Sequence, residues 1–253
     1  MFGDATKVAH LLINSDKTYL ARCVLGSQTD TGDATGEIVK TAEITSLSDE
    51  QVLASCKALT GDIEQIPPMY SALHHNGRRL YELAREGKVV DRPARKATIH
   101  EFKLIENNDV YIDFEIKVSK GTYIRTLLED FAIACGTVAH MSALHRTETG
   151  IFSGEDMLTL EEFEASVQSS DDQSQNLSHH IIAMDQALIE YPKQMLTADQ
   201  TRDLIHGKTI SCEGHPDMYR LYDCNGHFLG MGDLNGSETL KVKKLFLKSY
   251  QGG

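Results

Sequence analysis

The sequence has 253 residues, of which 41% are apolar and 25% are charged, as is usual for a globular protein. It contains no run of about 18 apolar residues and no basic-then-apolar signal at its start, which argues against a membrane span and against export. The formal charge of −12 argues, taken alone, against a nucleic-acid partner.

The cysteines and glycines argue against two further kinds of site. The five cysteines are widely spaced and form no C-x-x-C pair, which favours reduced thiols in a cytoplasm and disfavours a zinc site. Neither a Walker-type phosphate loop nor a G-x-G-x-x-G motif occurs, so a nucleotide cofactor has no support. We therefore expect a cytoplasmic protein that uses no metal and no cofactor.

The first predicted elements are a helix and a strand. The stretch MFGDATKVAHLLINSDK predicts a helix capped near Asp4, and residues 18–25 predict a strand. The turn-rich stretch GSQTDTGDATGEI follows, before a second strand. Its DTG triplet resembles that of aspartic proteases, which need two such aspartates, and its acids lack the spacing of an EF-hand loop. A turn explains most of this stretch and leaves Asp33 as a candidate partner for Arg125.

A basic segment follows three further predicted elements. Residues 48–59 predict a helix, residues 66–68 an extended diproline segment, and residues 80–86 a short helix. Between His74 and His100 lies a stretch with few acids, which we call the basic lobe, and its basic residues are Arg78, Arg79, Arg85, Lys88, Arg92, Arg95 and Lys96. Two interpretations stay open: a solvated helix face, or an RNA contact in which tyrosines stack on bases and arginines bind phosphate.

The next strand and helix meet near an arginine. Residues 110–118 alternate between apolar and polar and predict a half-buried strand, and an amphipathic helix follows from near Thr122 to Gly136. Arg125 lies in the first turn of this helix, where the helix dipole disfavours a cation by about 0.3–1 kcal/mol. Arg125 is therefore either solvated or paired with an anion.

The last third of the chain has a different pattern. Residues 166–180 are polar and of low complexity, and they predict an exposed loop or linker. Beyond them, short strands joined by Asn225-Gly226 and Asn235-Gly236 turns predict a small β-rich domain. We expect one domain over residues 1–180 and a second over residues 181–253. The residues alone indicate a cytoplasmic α+β protein for which RNA binding is one open interpretation.

Five segments, in family order, resemble the bacterial tRNA uridine-55 pseudouridine synthases. They are GDATK, SDKTYLARCVLGSQTDTGDATGEI, IEQIPPMYSALHHNGRRLYELAREG, SKGTYIRTL and HMSALHRT, which together run from residue 3 to about residue 150. AMDQAL and FLGMGDL in the C-terminal part match more loosely. The resemblance implies an α+β fold, in which a mixed, mostly antiparallel sheet flanked by helices precedes a small β domain similar to PUA-type RNA-binding modules.

The resemblance also implies a reaction, the isomerisation of one uridine in the T-arm of tRNA. The N-glycosidic bond is broken, the base rotates, and it is rejoined through carbon 5, with an aspartate as nucleophile and with no metal or redox cofactor. By motif match, Tyr19 stacks on the flipped base, Arg125 pairs with the nucleophile and with Asp33, and Tyr123 and Leu144 line the uridine pocket. The stacking side chain offsets an unstacking cost of roughly a few kcal/mol.

RNA contacts are expected from the basic lobe and from the HMSALHRT segment. The residues implied are His74, Arg78, Arg79, Arg85, His145 and Arg146. The family has a lysine at the position of His74 and an arginine at the position of His145, so two positive charges near RNA become pH-dependent here. The expected partner is the T-arm stem-loop of tRNA, bound by a monomer.

A further departure from the family concerns the nucleophile. In the family this aspartate lies in a GHTGALDPLATG-like loop upstream of GDATK, and the 253 residues that start at Met1 contain no such loop. Asp4, Asp16, Asp30 and Asp33 match other family positions. We therefore expect a truncated synthase that is inactive as written. The alternatives are a non-catalytic tRNA-binding protein and a decayed fragment with no stable role.

Overall fold

The computed structural model describes residues 3–43, 46–108, 110–168 and 181–246. The chain forms two units, one of Asn14–Met157 and one of Met1–Ile13 with Leu158–Gly253. The helices are α1 Ala9–Leu12, α2 Asp49–Ala58, α3 Leu80–Arg85, α4 Ile124–Ala134, α5 Leu160–Gln168, α6 Met184–Ala187 and α7 Ala198–Ile205. The strands are β1 Lys17–Leu25, β2 Ser27–Thr29, β3 Ile38–Thr41, β4 Gly61–Gln65, β5 His74–His75, β6 Arg78–Arg79, β7 Arg95–Asn107, β8 Tyr111–Val118, β9 Ala139–Thr149, β10 Phe152–Ser153, β11 Lys193–Met195, β12 Ile210–Ser211, β13 Asp217–Tyr222, β14 Phe228–Leu234 and β15 Thr239–Leu245.

The first unit is built on a six-stranded sheet in the order β10-β9-β1-β8-β7-β4, in which every pairing is antiparallel. The predicted alternation is confirmed over β8, where Ile112, Phe114, Ile116 and Val118 are all buried, but Val110 precedes the strand and is exposed. Alternate side chains of a strand point to opposite faces, so these four form one apolar face of the sheet.

Helix α4 covers part of this apolar face. Its residues Leu127, Leu128 and Phe131 are fully buried, as the i, i+3, i+4 spacing predicts. Phe131 packs against Phe114 with ring centroids 5.0 Å apart and a near-perpendicular geometry. Full burial of each such side chain contributes about 1.5–3 kcal/mol, so α4 makes a large contribution to this core.

The predicted limits of the central helices are close to the observed ones. α4 begins at Ile124, two residues later than predicted, because Thr122 donates its hydroxyl to the Ser119 carbonyl and so continues the turn after β8. It ends before Gly136, whose φ of 77° favours glycine. α2 begins after Ser48, which forms a reciprocal capping box with Gln51.

The start of the chain differs from its prediction. Residues Gly3–Val8 form a 3₁₀ helix, and only Ala9–Leu12 are α-helical. Thr6 donates its hydroxyl to the Gly3 carbonyl, a local bond that competes with regular helix formation. The cap predicted near Asp4 is therefore wrong, since α1 follows Val8 without a side-chain cap.

The second unit contains a five-stranded sheet in the order β11-β13-β14-β15-β12. Both predicted hairpins are confirmed, β13–β14 around Gly226 and β14–β15 around the Asn235 turn. In the second turn the left-handed residue is Glu238 with a φ of 55°, because the Asn235 side chain accepts the backbone N–H groups of Ser237 and Thr239.

The fold class is confirmed as α+β and mostly antiparallel, with the parallel pair β11–β13 in the smaller sheet. The predicted division at residue 180 and the PUA-like character of the C-terminal part stay predictions. Of the predicted linker, residues 166–168 belong to α5 and residues 169–180 lie outside the described residues. No helix within the described residues is long and apolar enough to cross a membrane.

Candidate functional site

Arg125, the second residue of α4, has an anionic partner. Its Nη1 donates to Asp33 Oδ2 at 2.9 Å and to the Thr31 carbonyl at 2.8 Å, and its Nη2 donates to the Tyr70 carbonyl at 2.7 Å. Both side chains of the ion pair are about four-fifths buried. The carboxylate and the two carbonyls compensate the unfavourable position of a cation at the start of a helix. The predicted contact with Asp33 is therefore present.

Asp33 is held on its other oxygen by its own loop. Its Oδ1 accepts the Thr35 hydroxyl at 2.6 Å, the Thr35 backbone N–H at 3.0 Å and the Thr31 hydroxyl at 2.9 Å. Partial burial acts to raise the pKa of Asp33, but these hydrogen bonds and the charge of Arg125 outweigh it, and the pKa lies below its ordinary value. Asp33 is thus a fixed carboxylate that keeps Arg125 in place.

The loop that carries Asp33 is attached to β9. The Met141 N–H donates to the Gly32 carbonyl, and the Ala34 N–H donates to the Met141 carbonyl. Gly32 has a φ of 73°, and an added Cβ would lie 3.3 Å from Glu129 Oε1 and 3.4 Å from Arg125 Cβ. A glycine is required here because the loop backbone passes tightly over α4.

Gln65, at the end of β4, is a site residue that the sequence interpretation missed. Its side chain is buried and forms two hydrogen bonds with the backbone of Tyr123, the residue that precedes α4. The amide oxygen accepts the Tyr123 N–H at 3.0 Å, and the amide nitrogen donates to the Tyr123 carbonyl at 3.2 Å. Gln65 therefore fixes the direction in which α4 starts, and with it the position of Arg125.

We expect Gln65→Leu to lower the free energy of unfolding by about 1–3 kcal/mol, because the Tyr123 N–H loses its acceptor, whereas the Tyr123 carbonyl still accepts the Leu127 N–H. Urea denaturation of the purified variant measures this loss. Gln51→Leu is the matched control, since Gln51 is an exposed member of the α2 capping box and its loss should cost about 1 kcal/mol or less. Equal losses in the two variants would contradict the role given to Gln65.

Tyr19, Leu144 and Arg146 share one face of the sheet. Tyr19 of β1 lies opposite Arg146 of β9, and Ala21, the next residue of β1 on this face, lies opposite Leu144. Tyr19 and Ala21 both contact the core that includes α4, whereas the side chain of Leu144 stays 44% exposed. Met141, which holds the Asp33 loop, precedes Leu144 by three residues, or about 10 Å along a strand. An open aromatic and aliphatic surface therefore lies beside the ion pair.

His145 lies on the opposite face from its neighbour Arg146. It pairs with Leu20 across β1 and β9, and the two side chains line a groove of about 580 Å³ together with Glu115 and Lys117. Consecutive strand residues point to opposite faces, so His145 and Arg146 cannot both face the surface around Leu144. The sequence motif predicted RNA contacts for both His145 and Arg146, but it did not indicate that they lie on opposite faces of the sheet.

The basic lobe forms a hairpin followed by α3. Strands β5 and β6 pair His74 with Arg79 and His75 with Arg78, and the turn between them contains Asn76 and Gly77, both with positive φ. The Asn-Gly dipeptide is the usual signal of such a turn, and the sequence interpretation did not use it here.

Two arginines of the lobe already have partners within it. Arg78 forms a two-pronged ion pair with Glu86, which also binds Lys88, and these bonds lower the pKa of Glu86 to about 2. Arg79 donates to the Ala72 carbonyl at 3.1 Å. Arg85 instead lies over the Tyr81 ring, 5.3 Å from its centroid. Part of the positive charge of the lobe is therefore engaged within the lobe itself. Of the three predicted arginines, Arg85 is the one most available to bind RNA.

Three related family domains together match most of the chain. Residues 1–124 match the TruB family pseudouridylate synthase N-terminal domain. Residues 125–189 match the tRNA pseudouridylate synthase B C-terminal domain, and residues 192–246 match the C-terminal domain of pseudouridine synthase II TruB.

Curated relatives agree with these matches. The tRNA pseudouridine synthase B of Hydrogenovibrio crunogenus is 40% identical over 247 residues, which cover 96% of this chain and 78% of the relative. The enzyme of the same name from Marinomonas is 40% identical over 240 residues, which cover 93% of this chain and 77% of the relative. The enzyme of Nitrosococcus oceani is 39% identical over 245 residues, which cover 96% of this chain and 79% of the relative.

Solved structures agree in fold. A Cbf5-Nop10-Gar1 complex contains a chain that superposes with a TM-score of 0.69 at 19% identity, covering 95% of this chain and 69% of that one. A chain of an H/ACA RNP bound to a substrate RNA containing 2'-deoxyuridine gives a TM-score of 0.66 at 18% identity, covering 95% of this chain and 69% of that one. At these identities the likeness concerns the fold alone.

Proposed function

The chain belongs to the TruB family of pseudouridine synthases, and from that premise we propose that its site is built to isomerise uridine 55 in the T-arm of tRNA. The observation that carries the proposal is the Arg125–Asp33 ion pair, set beside the open surface of Tyr19 and Leu144. A flipped base needs a flat apolar surface on which to stack, and a nucleophilic carboxylate needs a fixed cation.

Arg125 has donors left for a second carboxylate. A guanidinium has five N–H donors, and the bonds to Thr31, Asp33 and Tyr70 occupy three of them. The remaining two are on Nε and Nη2, and no hydrogen bond within the described chain uses them. Nε and Nη2 together form the edge of a guanidinium that binds a carboxylate in a fork. We assign this edge to the nucleophilic aspartate, Tyr19 to stacking on the base, and Tyr123 and Leu144 to the walls of the uridine pocket.

The nucleophile itself must come from a segment with the GHTG-x-LDP pattern, which the 253 residues do not contain. Asp33 does not serve, because both of its oxygens are engaged by Arg125, Thr31 and Thr35. In this proposal the polypeptide of residues 1–253 holds tRNA and leaves the glycosidic bond intact. It acts in the cytoplasm as a monomer.

A non-catalytic tRNA-binding protein is the second candidate, with the same surface used to hold or remodel the T-arm. A decayed fragment without a stable role is the third. Translation of the DNA upstream of Met1 separates them. An in-frame GHTG-x-LDP segment supports the synthase, and a stop codon directly upstream supports the other two.

We expect the basic lobe to contribute to tRNA binding. Neutralising Arg78, Arg79 and Arg85 together as glutamines should weaken binding and flatten its salt dependence, since each lost phosphate contact reduces the slope of log affinity against log salt by roughly one. Fluorescence anisotropy with a T-arm hairpin RNA over a salt series measures both quantities. Because Arg78 and Arg79 also hold the hairpin, Arg85→Gln alone serves as the variant that leaves the lobe folded. Unchanged affinity and slope in both variants would identify the lobe as a solvated face.

A further inference from the structure

A small pocket lies behind the hairpin of the basic lobe. Its volume is about 270 Å³, and its polar lining comes from His74, His75 and Asn76 of the hairpin and from Asp91, Arg92 and Arg95 of the segment that leads into β7. The apolar lining comes from Pro67, Leu73, Leu80 and Pro93, and the two prolines bring no N–H donor of their own. Arg92 and Arg95 therefore line the same pocket, and Pro93 between them restricts the backbone of that segment.

Arg92 and Arg95 lack the ion pair that three other arginines of the first unit form. Arg22 pairs with Asp113, Arg78 with Glu86, and Arg125 with Asp33. The side chains of Arg92 and Arg95 form neither an ion pair nor a hydrogen bond with any part of the chain that the structure describes. Asp91 lines the same pocket, so the polar charges there are two permanent cations against one carboxylate, before any protonation of the histidines.

Arg92 has lost part of its hydration within the fold. Its Nε is fully buried and has no hydrogen-bond partner in the described chain. A buried donor without an acceptor costs about 1–3 kcal/mol, and a charged group costs more. Folding thus leaves the guanidinium partly dehydrated without an acid to offset that loss, a condition in which an incoming anion gains more than it would at a solvated arginine.

We propose that this pocket binds a backbone phosphodiester of the RNA, with Arg92 and Arg95 as the charged donors and the Asn76 amide as a neutral one. The proposal rests on the proposed function, since it adds a phosphate subsite to the same RNA-binding protein. A single phosphate fits a pocket of this size, which is below the usual range of about 300–1,000 Å³ for whole small-molecule ligands. The two arginines outnumber the single carboxylate, and the lining contains no tyrosine, phenylalanine or tryptophan, which favours phosphate over a base.

The test compares Arg92→Gln and Arg95→Gln with Arg22→Gln in the full chain. Arg22 is a matched control, because it is an arginine of the same unit that already pairs with Asp113. Binding of a T-arm hairpin RNA is measured over a salt series. Each pocket variant should bind about tenfold more weakly and lose about 0.7–0.9 from the salt slope, whereas the control should match the wild type. Arg95 lies at the exposed start of β7, so Arg95→Gln should fold and can be measured even if Arg92→Gln unfolds.

A second measurement follows the NMR signal of the Arg92 Nε–H during titration with the hairpin RNA and, separately, with inorganic phosphate at matched ionic strength. The signal should shift with RNA at concentrations where binding occurs and with phosphate only at far higher ones. Equal sensitivity to inorganic phosphate would overturn the proposal in favour of a free-phosphate site. Unchanged affinity and slope in both pocket variants would overturn it while the tRNA function stands. A wild-type chain that binds no tRNA would overturn both together.

Discussion

The polypeptide of residues 1–253 should bind tRNA and form no pseudouridine. Scission of the glycosidic bond requires a carboxylate nucleophile at the ribose, and neither the ring of Tyr19 nor the guanidinium of Arg125 can replace it. The measurement is incubation of the purified polypeptide with unmodified tRNA, followed by an assay for pseudouridine at the T-arm position. We expect no product above background, whereas the same chain with a GHTG-x-LDP segment joined ahead of Gly3 should turn over.

Multiple turnovers by residues 1–253 would contradict this expectation and would require another acid to act as the nucleophile. Asp33 is the first to examine, because it lies against Arg125. Persistence of that unexpected activity in Asp33→Asn would exclude Asp33 and direct the search to other acids. Its loss would have to be joined by a covalent adduct between Asp33 and the RNA in the parent chain, because Asp33→Asn also removes the ion pair that holds Arg125.

Arg125→Lys should lower turnover by at least about 100-fold in the chain that carries the added segment. An ammonium group is a single point charge, so it cannot bridge the Thr31 carbonyl, Asp33 and the Tyr70 carbonyl while also presenting a forked edge to a second carboxylate. Displacement of a positioned group by about 1 Å is enough for a loss of this size. The measurement is single-turnover kinetics on unmodified tRNA.

Arg22→Lys is the matched control for that substitution. Arg22 also forms a forked pair, through Nε and Nη2 to both oxygens of Asp113, and it belongs to the face of the sheet opposite Tyr19. Its replacement should leave turnover within about twofold of the parent, since surface pairs contribute at most about 1 kcal/mol. Near-normal turnover in Arg125→Lys would rule out the role given to Arg125.

Tyr19→Phe isolates the hydroxyl in the same experiment. The phenyl ring keeps the apolar stacking face, so binding of the RNA should be retained. If the hydroxyl assists proton removal at carbon 5, most turnover should be lost. Turnover equal to that of the parent would limit Tyr19 to stacking.

The parts of the molecule that a local pattern determines were predictable from the sequence. The alternation of apolar and polar residues predicts β8, and the 3.6-residue period with Gly136 predicts α4. The Asn-Gly dipeptides at Asn225 and Asn235 predict the C-terminal hairpins. Each depends on residues that are close along the chain, so propensity and tertiary packing favour the same structure.

The contacts that position the site were only partly predictable. Asp33 was expected as a partner of Arg125 because an acid is required near a cation at a helix start. The Tyr70 carbonyl and the Gln65 amide were not expected, since every residue has a carbonyl and a glutamine gives no sign of which backbone it will meet. The charge of the basic lobe was visible, but the engagement of Arg78 by Glu86 required the hairpin geometry.

The bonds of Arg125 also determine when in folding the site can exist. They join it to Thr31, Asp33 and Tyr70 across sequence separations of 94, 92 and 55 residues, and Gln65 reaches Tyr123 across 58. Contacts of such separation contribute only after loop closure is completed. The central pairs of the sheet, β1 with β8 and β1 with β9, close loops of similar length, so we expect the site to form together with the sheet. Amide groups around Arg125 should then exchange with solvent through cooperative opening of the unit, and not through local fraying.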